Sequence, residues 1–288
     1  MLARDRQQHI KARIADQASV TTVELARQLR VSAETIRRDL LLLEEQGELR
    51  RIYGGAVSIR RQQSSEPPFR QRALLHTQPK RSIGAASARL VTSGQLIFID
   101  LGTTCAAVAQ ALADSFCGTV VTQSLLVADA LNETGNVEVI LAPGRLRRGE
   151  WSVTGSATVL FLERMHFDAA FIGCGGIDAE AGVTDFNFDD ADVKRRVAQN
   201  SGATYIVADS SKHGVVGSFG VLSWYDLRGL ITDVTPPRGL VDEMNRAGTR
   251  IVVAAVGDPV PGAAGEPRSA QPQTLEASNP QAQPRRPK

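Results

Sequence analysis

Seven short apolar runs alternate with helical patterns between residues 95 and 255, and this alternation constrains the fold more than any other feature. The runs are QLIFID (95–100), GTVVT (118–122), VEVIL (137–141), DAAFIG (168–173), ATYIVAD (203–209), LRGLITD (227–233) and RIVVAA (250–255). Strands that alternate with helices form parallel sheets with helices on both faces. The pattern therefore predicts an α/β domain with a mostly parallel sheet over residues 73–256.

Residues 1–58 show a different pattern, in which short helices precede a hairpin. Thr21 and Glu24 form a capping box that opens one helix, and Ser32 is placed to cap the next helix, AETIRRDLLLLEEQ. At 100° per residue, Arg37 and Arg38 point away from the apolar face of that second helix. Two helices joined by a short turn, with outward arginines on the second, predict a helix-turn-helix whose second helix enters the major groove of DNA.

The segment GELRRIYGGAVSI (47–59) extends this unit with a basic hairpin whose turn is Gly54-Gly55. A basic hairpin after a recognition helix predicts a winged helix-turn-helix. The predicted DNA contacts are Ser32, Glu34, Thr35, Arg37 and Arg38 on the helix, and Arg50 and Arg51 on the wing. The alternative for the whole segment is a packing or dimerisation module.

The distribution of charge agrees with a DNA-binding front end. Residues 1–82 hold 16 Lys and Arg against 9 Asp and Glu, a net charge of +7, whereas residues 83–256 hold 13 against 19, a net charge of −6. A basic N-terminal segment joined to an acidic C-terminal domain indicates that only the N-terminal segment binds a polyanion. The polar segment 59–72 predicts a linker, and the proline-rich residues 257–288 predict a disordered tail.

Small and polar residues follow the predicted strands at the points where the strands end. Ligands of parallel sheets collect at the carboxyl ends of the strands, where glycines admit an anion and hydroxyls and helix N-terminal amides donate hydrogen bonds. We predict a pocket for a phosphorylated sugar or polyol, formed by Asp100, Gly102, Thr103, Thr104, Thr122, Gln123, Ser124, Gly144, Gly173, Lys194 and Lys212. The alternative is that these glycines and threonines serve only as helix caps.

The sequence lacks the patterns that are typical of several other kinds of site. It contains neither a P-loop nor a dinucleotide-binding fingerprint, and its four histidines and three cysteines form no metal-ligand or triad spacing. We therefore expect no catalytic residue, metal or cofactor. The polar N-terminus and the lack of a long apolar run predict a cytoplasmic protein without a membrane partner.

Seven segments form an ordered set of motifs: VSAETIRRDLLLLEEQGELRRIYGGAV (31–57), DLGTT (100–104), VVTQS (120–124), DAAFIGCGGID (168–178), GVTDFNFDDADVKR (182–195), DSSKHG (209–214) and ITD (231–233). Taken in this order, they resemble the DeoR family of bacterial transcriptional regulators. The resemblance implies a winged helix-turn-helix joined to a sensor domain similar to ribose-phosphate isomerase. It also implies that a phosphorylated sugar releases a repressor from its operator. Gln123, the turn APG (142–144) and the pair Asp189-Asp190 depart from the family's usual residues, which affects the identity of the ligand.

These observations together predict a transcriptional regulator, specifically a repressor of a carbohydrate operon. Its partners are a double-stranded DNA operator, a phosphorylated effector and at least one further copy of the chain, because helix-turn-helix proteins normally bind two half-sites. A transcriptional activator is one alternative. A sugar-phosphate isomerase with an accessory DNA-binding domain is another, with Asp189 or Asp190 as the base that moves a proton.

Overall fold

The structure is a computed structural model that describes residues 2–17, 19–46, 48–52, 54–58, 61–62 and 66–254. The predicted tail, residues 257–288, lies outside the described residues, as do residues 59–60 and 63–65 of the predicted linker.

The described residues form helices and strands in both predicted domains. The α-helices are α1 (Ala3–Gln17), α2 (Thr22–Leu29), α3 (Ala33–Glu45), α4 (Phe69–Leu74), α5 (Thr77–Ala88), α6 (Thr103–Leu112), α7 (Leu125–Leu131), α8 (Ser156–Leu162), α9 (Phe188–Gln199) and α10 (Arg238–Ala247). The strands are β1 (Ser19–Thr21), β2 (Leu49–Ile52), β3 (Gly55–Ser58), β4 (Arg61–Gln62), β5 (Leu96–Ile99), β6 (Gly118–Thr122), β7 (Val137–Leu141), β8 (Arg145–Arg147), β9 (Ser152–Thr154), β10 (Ala169–Ile172), β11 (Gly176–Asp178), β12 (Gly182–Asp185), β13 (Thr204–Val207), β14 (Val215–Val216), β15 (Phe219–Leu222), β16 (Gly229–Thr232) and β17 (Arg250–Val253).

The N-terminal domain is a helix-turn-helix followed by a small antiparallel sheet. The Oγ1 atom of Thr21 accepts a hydrogen bond from the Glu24 amide at 3.2 Å, and the Oγ atom of Ser32 accepts one from the Thr35 amide at 3.1 Å. Both predicted caps are therefore present, and they begin α2 and α3. Strands β2 and β3 form the predicted hairpin, and β1 pairs with the other side of β3.

The predicted recognition helix α3 is held in this domain by an apolar face and by one buried ion pair. Its buried residues Ile36, Leu40 and Leu43 pack with the other apolar residues of the domain core, Ile10, Ile14, Val20, Leu25, Leu49 and Ala56. Asp39, on the same buried side, accepts hydrogen bonds from the guanidinium of Arg6 on α1. The side chains of Asp39 and Arg6 are only 4% and 11% exposed, so this pair fixes α3 against α1.

The C-terminal domain is built on a seven-stranded sheet with the order β17-β16-β13-β10-β5-β6-β7. All six neighbouring pairs are parallel, and the seven strands predicted for this domain all belong to this sheet. Successive strand residues point to opposite faces. Ile97 and Ile99 accordingly pack in the core beneath α5, α6 and α7, whereas Phe98 packs in the core beneath α8, α9 and α10.

Helices α5 and α6 pack closely because a glycine lies between them. A Cβ atom at Gly84 of α5 would lie 2.3 Å from the carbonyl oxygen of Ala107 on α6. Only a residue without a side chain permits this approach. The packing places the N-terminal ends of both helices near the carboxyl edge of the sheet, where the predicted pocket lies.

The segment predicted as a linker is partly built into the C-terminal domain. Strand β4 pairs in parallel with β14, and α4 contacts α6. Helix α1 of the N-terminal domain also contacts α10 of the C-terminal domain. The polar, proline-containing composition that predicted a linker does not reveal these contacts, because all of them are distant in sequence. Among the described helices, none is both long and apolar enough to span a membrane.

Candidate functional site

A cavity of about 180 Å³ lies at the carboxyl edge of the seven-stranded sheet. The chain proceeds from β5 through β6 to β7 in one direction along the sheet, and β10 lies on the other side of β5. The boundary between β5 and β10 is therefore the point where the strand order reverses, and sheets of this kind bind ligands there. Leu101 follows β5, Gly173 follows β10, and both residues line the cavity.

The structure brings six of the predicted effector residues to the wall of this cavity. They are Gly102, Thr103, Thr104, Gly173, Lys194 and Lys212. Further residues that the sequence analysis did not assign to the pocket also line it, among them Glu66, Arg72, His76, Lys80, Asp185, Asp190 and Asp209. The cavity wall is therefore densely charged, with cations and carboxylates in similar number.

The N-terminus of α6 opens into this cavity without a side-chain cap. Its N-cap residue is Gly102, which has a φ of 108°, and no side chain caps this helix within the described part of the chain. Neither Thr103 nor Thr104 acts as a cap for the helix. The first-turn amides carry the positive end of the helix dipole, and an anion in the cavity would accept their hydrogen bonds.

Lys194 is buried in an ion-pair network beneath the cavity. Its Nζ atom lies 3.4 Å from Asp100 Oδ2 and forms a second ion pair with Asp185. Burial alone would lower the pKa of Lys194, but the two carboxylates raise it well above its usual value. Lys194 therefore stays charged and holds both carboxylates in place.

The two carboxylates of this network respond to burial in opposite ways. Burial raises the pKa of Asp100, because it outweighs the attraction of Lys194. Asp100 also accepts hydrogen bonds from the Gln123 side chain at 3.0 Å and from the Gly173 amide at 3.1 Å. Asp185 is also buried, but its ion pair with Lys194 lowers its pKa. The Lys194 ammonium lies closer to Asp185, to which it also donates a hydrogen bond, and Asp185 lines the cavity.

Asp190 adds a titratable group to the cavity wall. Its Oδ2 atom accepts a hydrogen bond from Arg147, whereas its buried Oδ1 atom has no partner in the described structure. Burial raises the pKa of Asp190 to about 7, against the attraction of Lys194 and Arg147. This carboxyl therefore changes charge near neutral pH within reach of a bound ligand.

One side of the cavity, its mouth, is lined by Glu66, Pro67, Arg72 and Leu75 from the chain that follows β4. The Nζ atom of Lys212 donates a hydrogen bond to Glu66 Oε1 at 3.0 Å, and Arg72 Nη1 lies 3.3 Å from the same oxygen. Lys80 donates hydrogen bonds of 2.6 Å to the carbonyls of Arg72 and Leu75. Burial lowers the pKa of Lys80, and the ion pairs found among the described residues do not include this lysine.

Five of the predicted effector residues do not line the cavity. Asp100 lies beneath it, as described above, and Gln123 donates its amide hydrogen bond to Asp100. Thr122 accepts a hydrogen bond from the Ser124 amide, and Ser124 caps α7. Gly144 is packed away from the cavity, since a Cβ atom there would lie 2.4 Å from Thr158 Oγ1. The structure therefore gives these residues supporting positions and no direct access to a ligand in the cavity.

The predicted DNA contacts lie on the exposed side of α3 and on the wing. The side chains of Arg37 and Arg38 are 63% and 78% exposed, and both form ion pairs with Glu34. Ser32 and Thr35 meet at the N-cap, also on the surface. Arg51 on β2 pairs with Glu44 of α3 at 3.0 Å, whereas the side chain of Arg50 lies outside the described residues.

Known protein families match the two parts of the chain that carry these sites. The family described as DeoR-like helix-turn-helix domain matches residues 6–62, and the family described as DeoR C terminal sensor domain matches residues 75–234. The chain belongs to the DeoR family. As a DeoR-family protein it is a transcriptional regulator and not an enzyme, so the isomerase alternative is excluded.

Curated DeoR relatives resemble this chain over most of their own length. The glycerol-3-phosphate regulon repressor of Escherichia coli (strain K12) is 34% identical over 226 residues, which are 78% of this chain and 88% of the relative. The transcriptional repressor GlcR of Bacillus subtilis (strain 168) is 32% identical over 234 residues, which are 81% of this chain and 90% of the relative.

Solved structures resemble the chain more remotely. A ribose 5-phosphate isomerase A from Neisseria gonorrhoeae is 18% identical and covers 48% of this chain and 53% of its own, with a TM-score of 0.35.

Proposed function

We propose that the protein represses a carbohydrate operon and leaves its operator when a phosphorylated sugar or polyol binds the cavity. The observation that carries the proposal is the uncapped N-terminus of α6, which opens into a charged cavity at the switch point of the sheet. A phosphate at this position would accept hydrogen bonds from the amides of the first turn. Lys212 and Lys80 supply positive charge at the mouth of the same cavity.

The relatives support the same assignment. One DeoR relative is named for the glycerol-3-phosphate regulon. A phosphorylated polyol as small as glycerol 3-phosphate suits a cavity of about 180 Å³. A helix-turn-helix repressor normally binds a pseudo-palindromic operator, so we also propose that the protein acts at least as a dimer. The exposed arginines of α3 are the proposed base-reading residues, and Arg51 is the proposed wing contact.

The experiment combines ligand binding with operator release. The full chain is screened by thermal shift against glycerol 3-phosphate, hexose phosphates, inorganic phosphate and uncharged glycerol. A ligand at 100 times its dissociation constant stabilises a folded protein by about 2.7 kcal/mol. The operator is a duplex selected from random DNA with the same protein, and the ligand that stabilises the fold is expected to release it. Stabilisation by uncharged glycerol but by no phosphorylated compound would contradict the proposed ligand class.

A variant at the α6 N-terminus tests the location of the site. Thr104→Asp places a carboxylate where the ligand phosphate is expected, so this variant should bind the operator normally and fail to release it. Ala157→Asp is the matched control, because Ala157 holds the same second position in α8, which also follows a positive-φ glycine without a side-chain cap. Ala157 is exposed and does not line the cavity. Normal release by Thr104→Asp would show that the effector binds elsewhere.

A further inference from the structure

Glu66 occupies an unusual position for a residue of the segment between two domains. Its carboxylate lies at the mouth of the cavity, where it binds Lys212 at 3.0 Å and Arg72 at 3.3 Å. The side chain of Glu66 is only 17% exposed, and that of Arg72 only 11%. One carboxylate thus contacts two cations at the entrance to the proposed effector site, and Arg72 forms a further ion pair with Glu150.

The cations of the cavity differ in how firmly their carboxylates hold them. Lys194 is buried between Asp100 and Asp185, so an anion that binds it has to displace one of two buried carboxylates. Lys212 is 20% exposed, and among the described residues its ion-pair partner is Glu66. A multiply charged anion that enters the cavity therefore competes with Glu66 for Lys212 far more easily than with Asp185 for Lys194.

The segment that carries Glu66 is attached to the cavity on both sides of that residue. Before it, β4 pairs with β14, whose first residue, Val215, also lines the cavity. After it, Lys80 holds the carbonyls of Arg72 and Leu75. The Nε atom of Arg72 also donates a hydrogen bond of 2.9 Å to the Pro67 carbonyl, directly after Glu66. Glu66 therefore lies between two described stretches of chain that are both tied to the wall of the cavity.

We propose that Glu66 substitutes for the effector's anionic group in the ligand-free protein, and that an effector phosphate displaces it from Lys212 and Arg72. Displacement removes the contacts of Glu66 with both cations at the cavity mouth, and this loss transmits ligand occupancy to the DNA-binding helix. The inference rests on the proposed function, since it assumes that an anion binds this cavity. It adds a residue and a mechanism of release that the family assignment does not contain.

The test compares Glu66→Gln with the parent and with Glu163→Gln, all as full-length chains. Glu163 forms an ion pair with Arg196 at 3.3 Å on the surface between α8 and α9, so its variant loses one ion pair outside the cavity. Inorganic phosphate is the probe, and its dissociation constant is measured by calorimetry. Removal of the competing charge should tighten phosphate binding by about fivefold or more, which corresponds to about 1 kcal/mol. Glu163→Gln should bind phosphate as the parent does.

A second measurement tests transmission to DNA. The concentration of phosphate that releases half of the selected operator should fall for Glu66→Gln by the same factor as the dissociation constant. A Glu66→Asp variant retains the charge but shortens the side chain by one methylene group. Its phosphate concentration for half-release should lie between those of the parent and Glu66→Gln. This series remains informative if the glutamine variant folds poorly.

The outcomes separate this inference from the proposed function. Phosphate affinities of Glu66→Gln and the parent within twofold of each other would overturn the inference and leave the effector site intact. Tighter phosphate binding without easier operator release would also overturn it, because the displacement would not reach the DNA-binding domain. A parent that binds no phosphate and no phosphorylated compound would overturn the proposed function together with the inference.

Discussion

Removal of the Lys194 ammonium should destabilise the sensor domain strongly, because it leaves two carboxylates in the interior without their cation. Lys194→Met keeps most of the side-chain volume and removes only the charge. Asp100 is fully buried and cannot be rehydrated, whereas Asp185 lines the cavity and gains some contact with water. Breaking a buried ion pair on one side costs about 3–5 kcal/mol. We expect the free energy of unfolding to fall by about that amount near pH 8.

The loss should depend on pH with a definite sign. In the parent, Lys194 lowers the pKa of Asp185 in the folded protein below its value in the unfolded chain. This ion pair therefore stabilises the fold at any pH above the unfolded pKa of Asp185, and the stabilisation is lost as the pH falls through the folded pKa. In Lys194→Met, burial without the lysine raises the pKa of both carboxyls above their unfolded values. The folded variant then binds more protons than its unfolded chain, and its stability falls as the pH rises. The difference between parent and variant should therefore be smaller at pH 5 than at pH 8.

Urea denaturation followed by tryptophan fluorescence measures this difference in the relevant domain. The chain has two tryptophans, Trp151 and Trp224, and both lie in the α/β domain. Arg238→Met is the control, since it removes an exposed ion pair to Asp242 on α10 at 3.7 Å and should change stability by less than about 0.5 kcal/mol. A loss below about 1 kcal/mol at pH 8, or a loss that does not vary with pH, would refute the reasoning.

Two further predictions concern the recognition helix and the packing of α5 on α6. Arg37→Ala and Arg38→Ala should each weaken binding to the selected operator by about 1–3 kcal/mol where a base contact is lost, with little change in melting temperature because both side chains are exposed. Gel-shift titration and thermal melts measure the two effects, and unchanged operator affinity in the double variant would remove α3 from the interface. Gly84→Ala should destabilise the sensor domain by about 1–3 kcal/mol through its contact with α6. Gly239→Ala, at a helical glycine with open space around it, should instead be neutral or stabilise by up to about 1 kcal/mol in the same urea assay.

The elements that follow from local patterns could be predicted from the sequence. The seven strands of the main sheet were predicted because apolar runs and helical patterns repeat along the chain. The caps at Thr21 and Ser32 were predicted because a cap depends on residues three positions apart. The edge of the sheet where the cavity lies follows from chain order alone, since every parallel strand ends at the same edge.

The composition of the cavity wall could be predicted only in part. Gly102 and Lys194 line the cavity, as predicted. Gln123 is instead buried and donates a hydrogen bond to Asp100. The sequence gives no signal for such internal hydrogen bonds, because a polar residue at a strand end has the same pattern in either role. Glu66 lies in the predicted linker, and its partner Lys212 lies 146 residues further along the chain. A contact of that range is set by the fold and leaves no local pattern.

Helix α1 has a geometric role that follows from its two contacts. It touches α10 of the sensor domain, and through Arg6 and Asp39 it also holds the recognition helix. With 15 residues it is about 22 Å long, so a tilt of about 5° displaces its far end by about 2 Å. Hydrogen bonds to base edges do not survive a displacement of that size. A small rotation between two otherwise rigid domains is therefore sufficient to move the protein out of register with a DNA half-site, without unfolding any element of either domain.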